Sequence, residues 1–123
     1  MTKKILVVDD DAAFRNAFKI ALEVEDYDVV DVSDGNKAVE ILATNEIDLV
    51  FTDILMPEME GNELANFVKK SHPDIKVIGM TGGGKIGNAK KVKALCVHPL
   101  FEEILTKPCS TDIVAEAIEK ALG

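Results

Sequence analysis

The stretch Lys4-Ile5-Leu6-Val7-Val8-Asp9-Asp10-Asp11 decides the fold. Four apolar residues run without a polar interruption, which is the pattern of a strand buried on both faces. Three aspartates then end the run abruptly. A strand of this kind belongs to a parallel sheet covered by helices on either side. Lys3 and Lys4 precede the run, but the apolar stretch is too short for the hydrophobic region of a signal peptide.

The rest of the chain repeats the alternation. Phe14, Ala17, Phe18, Ala21 and Leu22 recur at helical spacing over 12–24, and a second strand is expected over 27–32. Asp34-Gly35 marks a turn before the helical stripe Ala38, Val39, Ile41 and Leu42. A third strand covers 48–52. Leu64, Phe67 and Val68 place a third helix ahead of the stop signal His72-Pro73. A fourth strand covers 75–80, a weakly amphipathic helix 90–97, and a short fifth strand 102–106. Ser110 is positioned to cap a last helix with Ile113, Val114, Ala117, Ile118 and Leu122 on its buried stripe. Five strands alternating with five helices predict an α/β, doubly wound parallel sheet in a single domain, residues 1–123.

Composition narrows the function. The chain has 123 residues, with 14 Lys plus Arg against 22 Asp plus Glu, a formal net charge of −8. Nucleic-acid binding is not expected, because phosphate contacts need a basic face. Hydrophobic residues make up 47%, enough for a core, while aromatics at 5% with no Trp leave no stacking platform for bases. No apolar run approaches the length of a membrane span. Cys96 and Cys109 make no disulfide framework, and Cys96 with His98 is too sparse for a zinc site. A soluble, cytoplasmic protein without a membrane partner is expected.

Ligands on such sheets sit at the carboxyl ends of the strands. Those ends carry Asp9-Asp10-Asp11, Asp53, Thr81 and Lys107-Pro108. If strand one lies between strands two and three, these groups converge. Carboxylates brought together repel, and a hard divalent cation relieves the repulsion, so oxygen ligands suit Mg²⁺. Mg²⁺ also clamps phosphoryl oxygens, Lys107 adds positive charge, and Thr81 adds a hydroxyl donor. The set reads as a phosphoryl site with a carboxylate available as nucleophile.

The motifs Leu6-Val7-Val8-Asp9-Asp10-Asp11, Asp53-Ile54-Leu55-Met56-Pro57-Glu58-Met59-Glu60-Gly61, Met80-Thr81-Gly82 and Thr106-Lys107-Pro108 resemble the receiver domains of two-component response regulators, of the single-domain chemotaxis-regulator type. The resemblance covers essentially the whole chain and implies the flavodoxin-like strand order 2-1-3-4-5. It implies Asp53 as phosphoacceptor, with Thr81 and Lys107 contacting the phosphoryl group. It implies Mg²⁺ held by Asp10, Asp53 and the backbone carbonyl of Leu55, with Asp9 acting mainly through coordinated water. A histidine kinase or histidine phosphotransfer protein would be the donor. The chain would then act as a stand-alone module that catalyses only its own phosphorylation and dephosphorylation. It would signal to an unknown downstream protein.

Other readings compete with each motif. An aspartate after a strand commonly caps a helix, and Asp11 fits that role without a metal. Residues 79–85, Gly-Met-Thr-Gly-Gly-Gly-Lys, match the start of a P-loop, but Ile86 stands where a Mg²⁺-binding Ser or Thr belongs. The glycines are expected instead to form a mobile loop beside Thr81. His72 is expected to be structural. A haloacid dehalogenase-like phosphatase needs a second acid two residues after its nucleophile, and Leu55 cannot supply it. A flavodoxin-like FMN carrier would place phosphate against three acids. A receiver fragment of a larger regulator is the remaining alternative.

The chain also departs from the receiver pattern. Ile104 occupies the position, three residues before the lysine, where a switching Tyr or Phe is common. Leu55 would shield an acyl phosphate from water, so slow dephosphorylation is expected; a half-life of seconds in the Mg²⁺-bound protein would contradict this. Lys85, Lys90, Lys91 and Lys93 lie in a stretch without acids, residues 82–101. They are read as a solvated helix face or as a docking surface for an acidic partner.

Overall fold

The computed structural model describes residues 2–54, 61–81, 101–107 and 110–123. Five parallel strands, β1 (Lys4–Val8), β2 (Asp28–Val32), β3 (Leu49–Asp53), β4 (Lys76–Thr81) and β5 (Glu103–Thr106), form one sheet in the order β2-β1-β3-β4-β5. The order is the flavodoxin-like one. Four helices are described: α1 (Ala12–Val24), α2 (Gly35–Thr44), α3 (Gly61–Ser71) and a C-terminal helix (Thr111–Leu122). The helix expected over 90–97, the Gly82–Gly84 loop, the lysines at 85, 90, 91 and 93, and Leu55, Cys96, His98, Pro108 and Cys109 lie outside the described residues.

Alternation along β1 divides the core into two layers, because successive strand side chains point to opposite faces. Ile5 and Val7 join Phe18, Leu22, Phe51, Val114 and Ile118 under α1 and the C-terminal helix. Leu6 and Val8 join Ala38, Leu42, Leu64 and Val68 under α2 and α3. All four residues of the run are fully buried, at roughly 1.5–3 kcal/mol of apolar transfer for each side chain. This two-sided burial is why the run could afford no polar residue.

The helix starts follow the cap chemistry. Asp11 accepts from the Ala13 and Phe14 amides and starts α1, so its capping role holds. Asp34 accepts from Lys37 N, so Asp34-Gly35 is a helix cap with Gly35 as its first helical residue. Ser110 Oγ accepts from Ile113 N.

Four strands start one residue later than the sequence reading has them, and one side chain departs from it. Ile75 N donates to His72 O, so β4 runs Lys76–Thr81 rather than over 75–80. Tyr27 precedes β2: Asp26 takes φ 68 and the Tyr27 amide donates back to Leu22 O, so pairing with β1 begins at Asp28. Asp48 stands outside β3 and uses its carboxylate to accept from Lys4 N at 2.8 Å. Strand β5 starts at Glu103, because Glu102 N bonds Val77 O ahead of the paired residues. Ile113 is 49% exposed and does not belong to the buried stripe. One residue is about 100° of helix rotation, so a stripe through Val114, Ala117 and Ile118 turns Ile113 outward.

Candidate functional site

Parallel register aligns the strand ends. Val8 lies opposite both Val32 and Thr52, Asp53 opposite Met80, and Thr81 opposite Thr106. Asp9 therefore follows β1 level with Asp53 at the end of β3, while Thr81 ends β4 one residue further along and Lys107 follows β5 one residue beyond that. The Lys107 amide donates to Thr81 O at 2.8 Å and extends that alignment one step past β5. The sequence-predicted residues Asp9, Asp10, Asp53, Thr81 and Lys107 come together at one edge. Leu55 falls outside the described residues.

Carboxylate oxygens of Asp9, Asp10 and Asp53 all lie within 4.8 Å of one another. Asp9 is fully buried and Asp53 is nearly so, while Asp10 faces solvent. Lys107 Nζ donates to Asp9 Oδ2 at 2.5 Å and stands 3.4 Å from Asp53 Oδ2. One ammonium thus meets two of the three carboxylates. Burial pushes the Lys107 pKa down, but the hydrogen bond to Asp9 and the charges of Asp53 and Asp9 outweigh it. The net direction is upward from the usual 10.5, and the side chain stays charged.

The remaining excess of negative charge is what a divalent cation neutralises, and the donors are all oxygen. A second observation points the same way. Among the described residues, Thr81 Oγ1 is the one buried side-chain polar atom with no hydrogen-bond partner. Leaving a buried hydroxyl unsatisfied costs about 1–3 kcal/mol. A hydroxyl retained at that cost beside a lysine and three carboxylates fits an oxyanion held by Mg²⁺ and Lys107, with Thr81 donating to it. The residues present fit the cation.

Supporting contacts hold the acids in place. Asp11 N donates to Asp9 Oδ1, which fixes that carboxylate against the start of α1. Arg15 Nη1 donates to Asp9 O at 2.7 Å while its Nε binds Asp31 Oδ2 at 2.9 Å, tying the β1 end to the β2 end. Gly61 N donates to Ile54 O, and a Cβ on Gly61 would stand 2.5 Å from Asp53 O and 2.7 Å from Ile54 Cα. Only glycine lets the start of α3 approach the Asp53 backbone this closely.

Sequence reasoning missed Phe14 and Arg15. Lys107 Nζ sits over the Phe14 ring, 4.2 Å from its centroid. Phe14 fits the apolar stripe of α1 so well that its spacing carries no second signal. Arg15 is the chain's single arginine, and its place one turn after the acids was the available clue. Ile104 is half-buried and packs against the layer under α2 and α3.

No helix among the described residues is long and apolar enough to cross a membrane. The response regulator receiver domain family model matches residues 5–119. The response regulator receiver protein CpdR of Brucella abortus is 34% identical over 120 residues, which is 98% of this chain and 97% of that protein. The CAI-1 autoinducer sensor kinase/phosphatase CqsS of Vibrio cholerae is 32% identical over 119 residues, 94% of this chain, and the match spans 17% of the kinase. The response regulator protein TrrA of Thermotoga maritima, solved in complex with Mg²⁺ and BeF, superposes with a TM-score of 0.82 at 29% identity, covering 98% of this chain and 100% of that one. With its strand order, its acidic strand ends and a family match over nearly its whole length, the chain belongs to the response regulator receiver domains of two-component systems.

Proposed function

We propose that Asp53 is the phosphoacceptor, and that the chain works as a stand-alone receiver whose output is a protein contact or onward phosphotransfer. The observation that carries this reading is the convergence of three carboxylates, Lys107 and the Thr81 hydroxyl, which has no partner among the described residues, at the carboxyl ends of the strands. The likeness to CpdR over the length of both chains supports the stand-alone mode.

Asp10, Asp53 and the backbone carbonyl of Leu55 would hold Mg²⁺, with Asp9 acting through coordinated water. Asp9 already commits one oxygen to Asp11 N and the other to Lys107, which supports that indirect role. When bound, Mg²⁺ supplies charge neutralisation to the transferring phosphoryl oxygens.

A carboxylate oxygen of Asp53 attacks the phosphorus of a phosphohistidine. The O–P bond forms as the P–N bond breaks, and the imidazole leaves with the electron pair and takes up a proton. Lys107 follows the growing negative charge from its position 3.4 Å from Asp53, and Thr81 donates to a phosphoryl oxygen. Water attack on the acyl phosphate later returns the carboxylate and releases phosphate. Beyond this self-directed chemistry the chain is a signalling domain rather than a conventional enzyme. The donor is a histidine kinase or a phosphotransfer protein in the cytoplasm. The sensor kinase CqsS, which contains a matching segment, supports that class of partner.

Incubation with acetyl phosphate and Mg²⁺, read by intact mass, tests the reading. Addition of about one phosphoryl group, abolished in Asp53→Asn, is the expected result. Unchanged mass with every donor, or labelling that survives Asp53→Asn, overturns it.

A further inference from the structure

The Phe14 ring has a place in the site that its position in the core does not require. It is only half-buried, on the first turn of α1, and one side borders a groove of about 180 Å³ between α1 and the C-terminal helix. Lys107 Nζ stands 4.2 Å from its centroid, within the range in which a ring quadrupole attracts a cation. The ring is itself fixed. It stacks on Phe18 with centroids 5.4 Å apart, and Phe18 meets Phe51 edge-on at 5.1 Å. Phe51 lies fully buried in β3, two residues before Asp53. The aromatic series therefore ties the surface under the lysine to the strand that carries the acceptor.

A lysine stem is long and flexible, and its ammonium is a point charge that moves to the strongest attraction. Here that attraction is Asp9 at 2.5 Å, with Asp53 further away at 3.4 Å. We propose that Phe14 is a positioning residue for phosphotransfer: its ring face holds the Lys107 ammonium between Asp9 and Asp53 and keeps it in reach of the phosphoryl group that forms on Asp53. This rests on the assignment of Asp53 and Lys107 above. Without the ring, the ammonium settles on Asp9, and the charge developing at Asp53 loses part of its support.

The test is a double-mutant cycle on the full chain, with the initial rate of acetyl phosphate labelling in Mg²⁺ read by intact mass. Phe14→Leu keeps apolar bulk and removes the ring. Phe14→Tyr keeps the ring and its electron-rich face. Phe14→Leu is expected to slow labelling roughly 3- to 10-fold, as suits one partly desolvated cation–π contact. Phe14→Tyr is expected to stay within about twofold. In a Lys107→Ala background, Phe14→Leu is expected to have no further effect. Urea unfolding midpoints of all variants separate folding from positioning.

Wild-type labelling by Phe14→Leu, with Lys107→Ala slow, overturns this inference alone. So does a Phe14→Leu loss that persists in the Lys107→Ala background, or one that Phe14→Tyr shares. Labelling unaffected by Lys107→Ala, or by Asp53→Asn, overturns the underlying assignment together with it.

Discussion

Replacing Thr81 with valine should make the protein more stable and less reactive. Thr81 is 1% exposed, and its Oγ1 has no hydrogen-bond partner among the described residues. Valine has nearly the same shape and suits a strand equally well, so the substitution removes the hydroxyl and leaves the packing. The desolvation penalty of an unsatisfied buried hydroxyl is about 1–3 kcal/mol, and Thr81→Val should recover that order of stability. For a domain of this size each kcal/mol moves the melting temperature by about 3–5 °C. The loss appears only in function. A hydrogen bond to a charged oxyanion contributes about 1.5–3 kcal/mol, so phosphorylation should slow about 10- to 150-fold. Urea denaturation with a shared m-value measures the first effect, and acetyl phosphate labelling followed by intact mass measures the second. Destabilised Thr81→Val would show that the hydroxyl is already satisfied in the fold. A stabilised variant that labels at the wild-type rate would show that the hydroxyl does not serve the phosphoryl group.

Three further outcomes follow from the site. A Mg²⁺ ion held by the folded site alone should, at about 100 times its dissociation constant, stabilise the protein by about 2.7 kcal/mol; titration with and without chelator checks this, and the gain should vanish in Asp10→Asn. Lys107 has a folded pKa raised above 10.5 despite its burial, because Asp9 and Asp53 favour the charged form. Its contribution to stability is full below the unfolded value and is lost as pH rises through the folded one. Tyr27, raised from 10.0 by burial and by Glu119 and Glu25, acts in the same direction. Stability should therefore decline on the alkaline side, and Lys107→Met should flatten but not abolish the decline in denaturation midpoints from about pH 9 to 12. Gly61→Ala forces a Cβ against Asp53 O and Ile54 Cα; it should cost about 1–3 kcal/mol and slow labelling together, and unchanged unfolding would remove the close-approach argument.

The local structure was legible where one residue type answers one physical demand. The unbroken run Ile5–Val8 could only be a strand covered on both faces, and Asp11 and Ser110 announced helix starts because free amides need an acceptor. The acidic strand ends, Thr81 and Lys107 stood out because carboxylates, a hydroxyl and an ammonium at strand termini share one chemical use. Elsewhere the signal was ambiguous. Ile113 read as core because its neighbours are apolar, and only the rotation of the helix against the sheet turned it outward. The β2 boundary depended on Asp26 entering the left-handed region, which no apolar pattern marks.

What the chain's order of residues determined by itself is the alternation of strands and helices and the list of groups at the strand ends, since both follow from local patterning. What only the tertiary structure decided is how those groups meet. Strand order places β1 between β2 and β3, and this brings Asp9 and Asp10 to Asp53 across 44 and 43 positions of chain. The same packing pairs Lys107 more closely with Asp9 than with Asp53 and slides Phe14 beneath it. It also leaves Thr81 Oγ1 without a partner among the described residues. These are differences of an ångström or less between groups far apart in sequence. They depend on the distance from strand to strand and on the tilt of α1, which the core as a whole sets and no local pattern records.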